Sequence, residues 1–345
     1  VVHPLKPAQA RLLGVRSADL PLALRGTSSR GARPISRLQV CLPNGQRIDG
    51  LLTAVPQTTD MLLADQAAGV EAVIGAVEAC RAAGATVVGL GAVAAVIGGQ
   101  GKAVARATEG CAITTGNTLT SVAAADTYQA LSRQLGRAGP VALMGPPGPV
   151  ANAILHQLVA RGLSVEIVTP KPPKPLQRIA DTLNARQYGA VRFIPDATEA
   201  LRAGRILIAA SSTGGRLKLS ALPANSVVID VAAPQDVEID GRRDDVLLVD
   251  GEYVRLPAPL GGSTWQHVYR WVTRQSQHVF ACFAEPMILA AAGRPDLANV
   301  GRTVPPERLA ELARLMHEAG MGIDRLHEHG RPLSTRRLAR FKIQP

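Results

Sequence analysis

Aromatic side chains are scarce in this sequence: Phe, Trp and Tyr together make up 3% of its 345 residues. That leaves little material for the stacking platforms that hold single-stranded nucleic acid. With no zinc-finger spacing and no RNP-type motif either, no nucleic-acid partner is expected. Cysteine is also rare. Cys41, Cys80, Cys111 and Cys282 stand far apart with no CxxC pair, which argues against a zinc ribbon or a disulfide scaffold, predicts no metal site and fits a reducing cytoplasm. Long apolar runs are missing too. The longest small-apolar stretch, Val87 to Gly99, carries four glycines in 13 residues, short of the roughly 20 residues that span a bilayer, so no stable membrane insertion is expected. The chain begins Val1-Val2-His3-Pro4, without Met, as a trimmed or partial chain would. It shows no charged segment leading into an apolar one, so no export signal is expected. Acids are outnumbered by 27 to 38 Lys and Arg, leaving a net charge of +11 that suits an acidic partner.

What is present is a folded protein of about two domains, with 46% apolar residues. Residues 1 to 36 are basic and lack periodicity, which predicts a loosely ordered beginning. Leu38 to Leu42 and Arg47 to Leu52 flank a Pro-Asn-Gly turn and predict a hairpin. Helices are predicted over Met61 to Gly84 and over 118 to 136, with a short buried strand at 86 to 91. From Val141 onward, short apolar runs alternate with helical segments: Val141-Met144, Val165-Val168, Val191-Ile194, Ile206-Ala210, Val227-Asp230 and Val246-Val249. That rhythm predicts an α/β fold with a parallel, doubly wound sheet. From Thr264 the chain reads as helical, through His278 to Ala292 and again from Pro306 to Ala319.

Two segments carry chemistry on their own residues. Gly145-Pro146-Pro147-Gly148-Pro149-Val150-Ala151 follows a strand and opens a helix, a GxxGxxA arrangement in which Gly145, Gly148 and Ala151 would let backbone approach a pyrophosphate. After the second strand come Thr169, Lys171 and Lys174 with no closing acid, which favours NADPH over NADH. The other segment is Gln277 to Met287, around Cys282. Read as one helix, it places His278 at i−4 and Glu285 at i+3 of the thiol, with Pro286 withholding a hydrogen bond from the Cys282 carbonyl. The cysteine then reads either as a nucleophile assisted by His278 or as a small core hydrophobe.

Taken together, Gly89-Leu90-Gly91-Ala92, Thr114-Thr115-Gly116-Asn117-Thr118-Leu119-Thr120, Val141 to Ala151, Val228-Ile229-Asp230, Phe280-Ala281-Cys282-Phe283-Ala284-Glu285, Gly301-Arg302 and His329-Gly330 resemble, in order, the cyanobacterial-type long-chain acyl-[acyl-carrier-protein] reductases. The resemblance implies NADPH-dependent reduction of an acyl thioester to a fatty aldehyde through a thioester on Cys282. It also implies a Rossmann-type domain inserted between N- and C-terminal parts of a mixed α/β substrate domain. The expected boundaries are 1–120, a linking helix at 121–138, 139–260, and a nucleophile-bearing 261–345. Asn117, Thr118 and Ser211 would join the cofactor site, and Gly89, Gly91, Phe280 and Phe283 would border the substrate. The implied partners are acyl carrier protein or acyl-CoA, with an aldehyde-consuming enzyme as a candidate companion. The chain departs from the family in its proline-rich turn, in Asp230-Val231-Ala232-Ala233-Pro234-Gln235 and in Gly251-Glu252. A dehydrogenase similar to shikimate dehydrogenase, without covalent catalysis, and a non-catalytic nucleotide-binding protein are the competing readings.

Overall fold

The computed structural model describes residues 2–5, 34–186, 189–232, 234–262 and 277–342. The chain gathers into two compact units. One comprises Val1–Thr118, Arg255–Arg302 and Arg314–Met321; the other comprises Leu119–Val254, Thr303–Ala313 and Gly322–Pro345.

In the first unit, β1 (Val2–Leu5), β2 (Pro34–Cys41) and β3 (Arg47–Thr58) form a sheet. The expected hairpin is β2 against β3, antiparallel, with β1 lying parallel on the other edge of β3. Along β2, Ser36, Leu38 and Val40 are buried while Arg37, Gln39 and Cys41 are exposed, the period-2 alternation of a strand with one wet face. The loosely ordered beginning expected for residues 1 to 36 is therefore interrupted by β1; residues 6–33 lie outside the described residues. The single helix expected from Met61 is two, α1 (Thr59–Ala64) and α2 (Gln66–Ala82). Asp65 ends the first and caps the second, its carboxylate accepting the Ala68 N–H at 3.0 Å. Val73, Ala76, Val77 and Cys80 of α2 pack in one core with Val88 of the short strand β4 (Val87–Gly89) and Val104 of α3 (Lys102–Ala107). Ile113 of β5 (Ala112–Thr114) joins the same core, and β4 and β5 pair in parallel.

Helix α4 (Asn117–Leu135) leads into the second unit, whose strands are β6 (Val141–Met144), β7 (Val165–Val168), β8 (Val191–Ile194), β9 (Ile206–Ala209), β10 (Val227–Asp230) and β11 (Leu247–Asp250). Between them run α5 (Pro149–Ala160), α6 (Lys174–Ala185) and α7 (Ala197–Arg202). The parallel strands lie in the order β8-β7-β6-β9-β10-β11, so the direction of winding reverses between β6 and β9. Leu143, Ile208, Ile229 and Val249 face one core with α4, α5 and α6; their neighbours Ala142, Leu207, Val228 and Leu248 face another with α7. Both faces are covered, which is why these strands read as unbroken apolar runs. Glu166, the one acid in β7, is buried and ion-paired with Arg192 and Arg205. The fold is thus mixed α/β with a parallel-rich sheet.

The chain returns to the first unit through β12 (Gly261–Gly262), antiparallel to β2, then β13 (His278–Phe280) and α8 (Ala281–Ala291); α9 (Pro306–Glu318), whose residues are divided between the two units, comes later in the chain. Short strands β14 (His327–Glu328) and β15 (Arg331–Pro332) extend the large sheet antiparallel beyond β11, and α10 (Thr335–Ala339) follows. No helix among the described residues is long and apolar enough to cross a membrane.

Candidate functional site

Cys282 lies in the first turn of α8 and is half-buried. The reading of 278–292 as one helix is corrected here: His278, Val279 and Phe280 form a strand, and the helix starts at Ala281. The i−4 helical spacing expected between His278 and the thiol is therefore not formed, and His278 lies on β13. A β-branched residue followed by an aromatic favours extended backbone, and Phe280 at the N-cap keeps φ −62° and ψ 140°. Phe280 offers no capping oxygen and the first turn contains no acid. The partial positive charge at the N-terminus of α8 favours a thiolate there, and the buried carboxylate of Glu285, three residues beyond the sulfur, opposes it.

Two glycines let the rest of the unit close on this helix. Gly116, at φ +74°, follows β5; a Cβ there would stand 2.3 Å from the Cys282 Cβ, 2.4 Å from its Cα and 3.0 Å from its carbonyl oxygen. Gly89, at the end of β4, faces the Pro286 ring, with 2.8 Å between a built Cβ and Cγ. Pro286 has no N–H to give the Cys282 carbonyl, whose oxygen lies 3.0 Å from where a Cβ on Gly116 would stand.

Thr114 ties the pieces together. Its hydroxyl donates to the carboxylate of Glu285, which is fully buried, and accepts the Gly116 N–H at 3.3 Å and the Asn299 N–H at 3.5 Å. The Thr115 N–H donates to the Asn299 carbonyl at 3.0 Å. Ala92, the run Gly98-Gly99-Gln100-Gly101, Gly116 and Gly301 have positive φ. The Gly301 N–H donates to the Gln100 carbonyl at 2.8 Å, and a Cβ on Gly101 would come within 3.3 Å of Thr115 Cγ2.

The other expected residues fall as follows. Gly91 precedes the short turn 92–95, and Phe280 and Phe283 are half-buried beside the thiol in sequence. Asn117 and Thr118 open α4. In the second unit, Gly145, Gly148, Ala151 and Ser211 gather where the winding reverses: a Cβ on Gly145 would lie 2.4 Å from the Ala210 oxygen, and one on Gly148 3.2 Å from Ser212 Oγ. Thr169 donates its N–H to Ile194 at 2.8 Å, while Lys171 and Lys174 are exposed beyond β7. Sequence reasoning missed Thr114 and Asn299 as members of the thiol site. The threonine stood inside the TTGNT segment, but nothing local points to Asn299, which arrives from 185 residues away.

Sequence reasoning also missed the acids at the end of β10. Asp230 is 6% exposed and accepts N–H groups from Ala232, Asp236 and Val237. Burial pushes its pKa up from 3.8 to about 6. Asp236 in turn accepts the Ser211 N–H at 2.7 Å and its hydroxyl. Because the folded-state pKa is the higher, the native protein takes up this proton before the unfolded chain does. Asp230 therefore costs stability above pH 6, and that cost is relieved as pH falls toward 4, by about 3 kcal/mol in all. In Asp230→Asn the amide nitrogen meets the Val237 N–H, which costs roughly 1–3 kcal/mol, and the titration is gone. Urea unfolding at several pH values should show the gap between wild type and variant widening in favour of wild type between pH 7 and 4. Parallel pH curves would remove the assignment.

No protein-family model matches the chain. Among curated proteins, 305 residues, 86% of this chain, are 27% identical to aminotransferase PigE of Serratia sp. (strain ATCC 39006). The chain spans about a third of that relative's length, 35%. This match overturns the expectation of an acyl-[acyl-carrier-protein] reductase forming fatty aldehydes with NADPH, because the relative is named for a different enzyme class. The shikimate-dehydrogenase-like and nucleotide-binding readings draw no support from it either. The motifs behind the expectation are glycines and small hydroxylated residues at turns. They specify a backbone path, and one path serves many reactions.

The name aminotransferase brings pyridoxal phosphate with it, and that group needs a lysine placed to form an imine in an enclosed site. Lys102, Lys171, Lys174, Lys218 and Lys342, the lysines among the described residues, are all exposed. Among the described residues, no lysine fits the cofactor.

Proposed function

We propose that this chain is a thiol-dependent acyl-capture module with Cys282 as its nucleophile. The observation that supports it most directly is the half-buried Cys282 in the first turn of α8, whose Cα and Cβ stand against Gly116. The Cys282 thiolate attacks the carbonyl carbon of a carrier-linked or coenzyme A thioester. A new carbon–sulfur bond forms to Cys282, the bond to the carrier sulfur breaks, and the carrier leaves as a thiol after taking up a proton. The reading ends at this transfer and includes no hydride step and no nicotinamide cofactor. The net charge of +11 supports an acidic carrier protein as donor. Within the α/β fold, the finer arrangement we propose is a doubly wound domain inserted between N- and C-terminal parts of the thiol-bearing unit. Intact-mass measurement of the full chain after mixing with acyl-CoA and with acyl carrier protein tests the proposal: one acyl group per chain, mapped to Cys282, is the expected result, and an unmodified mass with both donors would end it.

A further inference from the structure

We infer that this chain holds no pyridoxal phosphate of its own, so that any amino transfer it takes part in is carried by another polypeptide segment. The observations are chemical. An internal imine forms when the cofactor aldehyde condenses with a lysine ε-amine and releases water, and it persists where a protein wall excludes water and an acid pairs with the pyridine nitrogen. The lysines described here stand on the surface. Lys102, the one within the thiol-bearing unit, lies across Gly301, close enough that a Cβ there would meet its Cε at 2.4 Å, and the residue remains exposed.

The acids are committed as well. Among the described residues the buried carboxylates are Glu166, Asp230, Asp236 and Glu285. They are engaged respectively by Arg192 with Arg205, by three backbone N–H groups, by Ser211, and by Thr114. A pyridinium partner would have to be taken from one of these at the cost of the contact it already makes. The 27% match covers 35% of the relative, which leaves about two thirds of that protein outside the shared segment.

The test uses the full chain and pyridoxal phosphate itself. After incubation, borohydride delivers hydride to any imine carbon and fixes it as a secondary amine, and peptide mapping then locates the pyridoxyl group, Lys6 included. The expected result is labelling well below one group per chain, spread over the exposed lysines, with no aldimine absorbance surviving dialysis. One pyridoxyl group per chain on a single lysine, with an aldimine band that dialysis does not remove, would overturn the inference. This readout is independent of Cys282 acylation, so the two proposals fail separately.

Discussion

Replacing Gly116 by alanine is expected to destabilise the protein by about 3 kcal/mol or more and to displace the thiol. Two costs add at this position. The backbone sits at φ +74°, where a Cβ costs roughly 1–2 kcal/mol. The new methyl would also overlap the Cα and Cβ of Cys282 at 2.4 and 2.3 Å. Those are main-chain and first side-chain atoms of a helix, which cannot rotate away, so the overlap is relieved only by moving α8, at a further 1–3 kcal/mol or so. Guanidinium unfolding measures the stability, and the rate of Cys282 alkylation reports whether the thiol has moved. A variant with wild-type midpoint and wild-type alkylation would show that the close approach does not constrain the site.

The second large effect is at the sulfur. Cys282→Ser is expected to lower acyl capture at least about a thousandfold while leaving the unfolding midpoint nearly unchanged. Serine is close in size to cysteine, but its hydroxyl is a far weaker acid than a thiol and stays protonated near neutral pH. His278 lies on the strand that precedes α8, not one turn back on the helix. Discharge of acyl donor by the serine variant at the wild-type rate would remove Cys282 from the proposal.

Much of the parallel sheet was legible because its strands are buried on both faces. Val141-Ala142-Leu143-Met144 and Ile206-Leu207-Ile208-Ala209 are unbroken apolar runs for that reason. Boundaries at the thiol were less legible: Val279 and Phe280 begin an apolar run that helix and strand could share, and only the structure separates the strand from the helix. The break at Asp65 was readable in principle, since an Asp before an Ala-rich segment is a capping signal, but apolar residues on both sides of it kept one period running. Strands of two residues, such as His327–Glu328, owe their conformation to the neighbouring strand and carry no pattern of their own. The candidate site divides along the same line. Cys282 and Gly116 stood inside short motifs, whereas the pairing of Thr114 with Asn299 is a contact between distant segments that no local pattern encodes.

The contacts on α8 also determine how the thiol can move. Cys282 against Gly116 and Pro286 against Gly89 are four residues apart, one turn or about 6 Å along the axis, and lie on one face of the helix. Two such points stop a rod from sliding or tilting but leave it able to roll about the line that joins them. The hydrogen bond from Thr114 to Glu285, which lies between them along the chain, blocks the roll. Small adjustments of β4 or of the turn after β5 therefore pass directly into the position of the sulfur, and the helix cannot absorb them by flexing around a single anchor.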